Sequence, residues 1–114
     1  NDQPPPVAET GTAVVARPEC KTMLADGDFD KLRKKLVATN GNDKMIQLAQ
    51  KYLQDKCITT AQTKTLSGNF LSDQSRFNFF NAVYSHVSDT AVFTSLQNQL
   101  IDPVYKKLFH AMLK

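Results

Sequence analysis

Ser72-Asp73-Gln74-Ser75-Arg76-Phe77-Asn78-Phe79-Phe80-Asn81-Ala82-Val83-Tyr84-Ser85-His86-Val87 is the stretch from which the fold can be read. At helical spacing Phe77, Phe80 and Tyr84 fall on one stripe, and Phe79, Val83 and Val87 fall on the stripe beside it. The apolar arc is wider than a surface helix needs, so this helix is expected to pack on more than one side. Ser72 or Asp73 is placed to cap its start, and Ser88-Asp89 reads as its end and as the cap of the helix that follows.

Outward from this centre the chain reads as helices throughout, with no convincing strand alternation. Phe29, Leu32 and Leu36 give the spacing of a first helix, capped from Asp26 or Asp28 and ending near Asn40-Gly41. Asn42 or Asp43 opens a second, on which Met45, Leu48, Ala49, Tyr52 and Leu53 form an amphipathic stripe. Thr59-Thr60-Ala61-Gln62 matches the capping box and starts a third helix, interrupted at Gly68 and carrying Leu66 and Phe70. After the central helix comes a fifth with Val92, Phe93, Leu96, Leu100 and Ile101. The sixth carries Val104, Tyr105, Leu108, Phe109 and Met112, with Asp102-Pro103 as cap and first helical residue.

A degenerate repeat organises these six. Phe29-x-x-Leu32-x-x-x-Leu36, Thr63-x-x-Leu66-x-x-x-Phe70 and Phe93-x-x-Leu96-x-x-x-Leu100 share one spacing. Each is followed by an aspartate and a second helix, in which Leu48-Ala49, Phe79-Phe80 and Leu108-Phe109 correspond. The pattern predicts an all-α domain of three stacked helical hairpins, each too small to stand alone, with the middle one covered on both sides. Residues 19–114 are assigned to this domain. Residues 1–18 hold four of the five prolines and read as a flexible tether, in which only Ala13-Val14-Val15-Ala16 has apolar surface to lay against the domain.

With 114 residues and 41% hydrophobic content, the chain fits one soluble domain with a core of its own. The net charge of +3, from 14 basic and 11 acidic residues, is too mild and too interspersed to point to nucleic acid. No run approaches the roughly 20 apolar residues of a membrane-spanning helix. The sequence opens at Asn1 with no basic-then-apolar leader, consistent with a removed signal peptide or a trimmed chain. Beyond Glu19 every acid is an aspartate. Asp43, Asp73, Asp89 and Asp102 stand where helices begin, so folding accounts for most carboxylates.

The order Asp43-Lys44, Leu48-Ala49, Cys57-Ile58-Thr59-Thr60-Ala61-Gln62, Phe70, Asp73, Arg76-Phe77, Phe80, Ala82-Val83-Tyr84, Asp89, Phe93 and Leu96 resembles a bacterial domain-of-unknown-function family, number four-four-seven-six. The likeness runs from about Met23 to the C-terminus and rests on apolar, capping and turn residues, so it carries a fold and no chemistry. It implies an exported or envelope protein with no assigned activity. The turn at Asn40-Gly41-Asn42 is slightly longer than that pattern.

Candidate sites are few. Cys20 and Cys57, if paired in an oxidising compartment, would tie the start of the domain to the end of the second helix. Closing a loop of about 38 residues contributes ~4 kcal/mol, less strain; the alternative is two unpaired thiols. Asp26-Gly27-Asp28-Phe29-Asp30 opens like a calcium loop, yet Lys31 and Val37 stand where glycine and glutamate are required. Lys31, Arg33, Lys34 and Lys35, with Lys44 nearby, form the densest basic cluster and a candidate partner-binding face, against the plainer reading of a solvated helix face. Arg76 and Tyr84 are candidate groove residues, or structural hydrogen-bonding groups. His86 and His110 lack the neighbours a zinc site needs, and no nucleophile turn or phosphate loop is present. No catalytic residue, metal ligand or cofactor is expected.

The leading expectation is a non-catalytic accessory module of the bacterial envelope or secreted fraction that binds another envelope or secreted protein. Two alternatives stand beside it. One is a small-ligand carrier with a closed apolar cavity between hairpins. The other is an enzyme whose site gathers Tyr84, Arg76, His86 and Asp89.

Overall fold

The computed structural model describes residues 22–113. The tether assigned to residues 1–18, with its Ala13-Val14-Val15-Ala16 run, lies outside the described residues. Five α-helices form: α1 (Asp26–Val37), α2 (Asn42–Tyr52), α3 (Thr60–Ser67), α4 (Asp73–Val83) and α5 (Pro103–Met112). One 3-10 turn, Tyr84–His86, extends α4, and a 3-10 helix, Thr90–Gln99, precedes α5. The described chain is thus six helical segments, with no strand.

The segments pack as three hairpins in a row. In hairpin order α1 lies on α2, α3 on α4, and the 3-10 helix on α5. Between hairpins α4 touches both α2 and α5, while α3 touches the 3-10 helix. The middle hairpin is therefore covered on both sides. Its two apolar stripes explain why: Phe79, Phe80 and Val83 are buried and Phe77 and Tyr84 pack against the core. Each hairpin begins from a short extended piece, and the three pieces lie parallel, Met23 beside Cys57 and Ile58 beside Val87. Four backbone bonds of 2.8–2.9 Å join them: Leu24 N–H to Cys57 O, Cys57 N–H to Thr22 O, Ile58 N–H to His86 O, and Ser88 N–H to Ile58 O.

Gly41 forms the tight α1–α2 turn at φ 100°, a conformation that strains any residue with a Cβ. It stands just before α2, so the Asn40-Gly41-Asn42 turn is closed by backbone freedom and not by a side-chain cap.

Four expectations need correction. The fifth segment is a ten-residue 3-10 helix, long for that conformation. At three residues per turn its apolar row narrows to Phe93 and Leu96, which are buried, while Val92 is turned outward. Ile101 lies beyond its end and is 81% exposed; on α5, Val104 and Leu108 are 61% and 44% exposed. α1 begins without a side-chain cap, and Asp26 and Asp28 sit in its first turn.

The fourth correction concerns the aspartates, two of which serve a neighbouring segment instead of their own. The Asp89 carboxylate makes no cap bond to the 3-10 helix. It accepts Thr60 N–H at 2.7 Å and the Thr60 hydroxyl at 2.9 Å, capping α3 across the hairpin boundary. Asp73 accepts the N–H groups of Ile101 and Asp102 ahead of α5. α4 itself starts from a Ser72–Ser75 box, and α3 from the expected Thr59–Gln62 box. Asp102 does cap its own helix, through Val104 N–H at 2.8 Å.

Candidate interaction surface

The basic cluster sits on α1, whose Leu32 and Leu36 face the core. This leaves Lys31, Arg33, Lys34 and Lys35 on solvent-facing positions. Asp30 divides them. Its carboxylate pairs with Arg33 at 3.0 Å and with Lys34 at 3.2 Å, one and the same turn down the helix. The hydrogen bond from Arg33, then those of Lys34, hold the Asp30 carboxyl below the usual carboxylate range. A depressed carboxyl adds stability above its ordinary pKa and loses it as pH falls through the folded value; here solvent screens the effect.

Beside these two cations lies an aliphatic side chain that the sequence marks only as an unsuitable calcium-loop residue. Val37 is 71% exposed, and with Arg33 and Lys34 it lines a shallow hollow of about 180 Å³. Its position one residue past Leu36 at the helix end was the available signal. Lys44 occupies the first turn of α2 and lines a different depression with Asn40, Gly41, Asn42 and Asp43. The face therefore consists of two neighbouring patches, the one on α1 combining charge with an apolar spot.

Of the scattered polar residues, Arg76 and Asp89 are committed through their side chains to structural bonds. Arg76 Nε donates to Phe70 O at 2.8 Å and Nη1 to Gln99 O at 3.1 Å, so the guanidinium joins the ends of α3 and of the 3-10 helix. Tyr84 lies edge-on to Phe93, ring centroids 5.0 Å apart. Asp89 is committed to Thr60. His86 gives its carbonyl to Ile58. His110 lies 2.7 Å from Gln97 Oε1. Arg76 and Tyr84 thus serve the hairpin contacts, Arg76 through Nε and Nη1 and Tyr84 through its ring.

Among the described residues no three His, Cys, Asp or Glu side chains stand close enough to hold a metal ion. Asp26 and Asp28 belong to a helical turn and Asp30 to the Arg33–Lys34 pair, so the calcium-like stretch forms no loop. Between the first turns of α2 and α4 is a polar hollow of about 200 Å³, edged by Asn42, Asp43, Gln74 and Asn78. Ile46 is its one aliphatic contact, whereas a carrier cavity is lined mainly by apolar side chains. No described helix is long and apolar enough to cross a membrane.

Cys20 lies outside the described residues. Cys57 is buried in the central piece of the parallel ladder, its N–H bonded to Thr22 O.

No curated protein and no solved structure shows significant similarity to the chain. A family model does match, that of a domain of unknown function (DUF4476), over residues 23–113. This span runs from the first rung of the ladder through α5, so the whole stack of hairpins corresponds to one family domain, and the chain belongs to the DUF4476 family.

Proposed function

We propose that this domain is a non-catalytic interaction module of an exported bacterial protein, binding a partner protein through the α1 face. The observation that carries the reading is Val37, an exposed aliphatic side chain flanked by Arg33 and Lys34. An apolar anchor with a cationic rim suits a partner that offers an apolar contact surrounded by carboxylates. The anchor would supply the affinity and the rim the orientation and association rate. Two of the polar groups that such an enzyme would need, Arg76 and Asp89, are instead engaged in joining hairpins, which favours a rigid scaffold over a reaction centre.

The test is cross-linking and affinity recovery from native envelopes, followed by titration with the purified partner. Val37→Asp is expected to weaken binding by about 10- to 100-fold. The Lys34→Glu, Lys35→Glu pair is expected to slow association and flatten its salt dependence. Binding that survives all three changes would remove this face from the proposal. Recovery of nothing above background would turn attention to ligand and activity screens.

Export rests on a second proposal, a Cys20–Cys57 disulfide. Its support is local: the chain two residues after Cys20 is already bonded to Cys57, through Thr22 O at 2.8 Å, so little backbone remains to be placed. A bridge there suits an oxidising compartment. The denatured, unreduced protein is expected to take up no alkylating reagent, and to take up two equivalents after reduction. Two reactive thiols before reduction would remove both the bridge and the main support for export.

A further inference from the structure

α5 closes the last hairpin, and its two long sides differ in kind. Tyr105, Phe109 and Met112 turn inward; Phe109 lies 5.6 Å from Phe80 and 5.7 Å from Phe93, and Tyr105 meets Phe77 at 6.1 Å. The outer side carries Val104 and Leu108, continued by Ile101 just ahead of the helix, with exposures of 61%, 44% and 81%. Leu71, 90% exposed, stands at the same end, because Asp73 two residues later bonds the Ile101 and Asp102 N–H groups. The outermost segment of a stacked array is ordinarily polar on its free side. Here it is aliphatic, and bonds from Asp73 and Arg76 hold the flanking backbone in place.

The charges along this side run in one direction. Asp73 and Asp102 lie at its N-terminal end. Lys107 lies in the second turn of α5 on this outer side, three residues after Val104, and no acid occurs from Pro103 to Leu113. Asp102 spends one oxygen, Oδ1, on Val104 N–H, leaving Oδ2 for an outside donor. A surface that is acidic at one end, aliphatic in the middle and basic at the other complements itself under a two-fold rotation. The rotation that lays Ile101 on Leu108 of a second copy brings Asp102 opposite Lys107 and passes its axis beside Val104, which then lies close to its own counterpart.

We propose that α5 is a self-association face, on which two copies of this chain meet with their α5 helices antiparallel. The contact is isologous and closed. It extends α4 and α5 into a continuous run with the α5 and α4 of the second copy, giving the last hairpin the cover that the middle one already has. It lies on the opposite flank of the stack from α1. A dimer would then offer two α1 faces to a partner, raising avidity without new contacts. The inference stands independently of the α1 reading.

The test is sedimentation equilibrium of the full chain up to about 1 mM, a range set by the small size of the patch. A reversible dimer is expected, with a dissociation constant of about 10 µM to 1 mM. Val104→Asp and Leu108→Asp are expected to weaken it by at least about tenfold, with helical circular dichroism unchanged because both side chains are exposed. Lys107→Glu is expected to weaken it about threefold or more at low salt. A short bis-maleimide should join Val104→Cys to its counterpart and leave Val92→Cys, on another segment, unjoined. A monomer at 1 mM would overturn the proposal. So would a dimer indifferent to Val104 and Leu108, a dimer in which Val104→Cys does not cross-link, or a monomer that uses these residues to bind lipid vesicles or another protein. Loss of partner binding on α1 variants, with dimerisation intact, separates failure of one reading from failure of the other.

Discussion

Replacing Phe80 with alanine is expected to remove about 3–5 kcal/mol from the stability of the domain, the largest effect of any single core truncation here. Phe80 is wholly buried and stands among three other rings. Its centroid lies 6.1 Å from Phe79 on its own helix, 6.1 Å from Phe93 on the 3-10 helix and 5.6 Å from Phe109 on α5. The contacts to Phe93 and Phe109 are edge-to-face, the arrangement in which ring quadrupoles attract. Truncation would leave a cavity between two hairpins, bordered by Phe79, Phe93 and Phe109, and the loss grows with whatever part of that cavity does not collapse. Total stabilities of domains this size run to roughly 5–15 kcal/mol, so the variant would sit near the threshold of folding. Urea denaturation supplies the measurement: the midpoint should fall sharply with the slope unchanged. Leu71→Ala, at an exposed aliphatic, should shift the free energy by less than about 0.5 kcal/mol. A small effect at Phe80 would mean that the last hairpin docks loosely and that the stack is not one cooperative unit.

Why the central helix could be singled out from sequence, while the long-range partners of its polar residues could not, follows from the range of the forces involved. Apolar periodicity is a local signal. It gave six segments, their order and the covered middle hairpin, because burial of Leu32, Leu36, Met45, Ala49 and Phe109 at helical spacing has few other solutions. Capping is local as well, so the Thr59–Gln62 box was legible to the residue. Asp73 and Asp89 were legible only as being near helix starts. Whether a carboxylate bonds its own helix or one 29 residues away depends on how hairpins stack, which no spacing records. The 3-10 geometry of Thr90–Gln99 was hidden for a related reason. Phe93 and Leu96 fit both three and 3.6 residues per turn, and only Val92, which faces solvent, distinguishes them. The basic α1 cluster was readable as composition, whereas Val37 acquired meaning only once α1 was seen to turn it out between Arg33 and Lys34.

Arg76 puts the same distinction between local and long-range signals to experiment. Arg76→Met keeps most of the aliphatic stem and removes the guanidinium. The Phe70 and Gln99 carbonyls, now bonded at 2.8 and 3.1 Å, would both lose a charged donor. Bonds of this kind contribute about 1.5–3 kcal/mol each, and two that share one guanidinium do not simply add. A loss of about 2–4 kcal/mol is therefore expected. Arg76→Lys should recover only part of it, since an ammonium is a point donor and the planar fork reaches two carbonyls at once. Hydrogen exchange gives the spatial signature. The amides of Ile101 and Asp102, held by Asp73 one turn before Arg76, should exchange faster in the methionine variant, while those of α1 should not. A lysine variant as stable as the native chain would show that charge alone suffices at this position. A methionine variant within about 0.5 kcal/mol of native would release Arg76 from its structural role and return it to the list of groups able to serve a ligand. The structure favours the structural role, because Nε and Nη1 end on backbone carbonyls of two different segments, a link that the Asp73 bonds to Ile101 and Asp102 do not make.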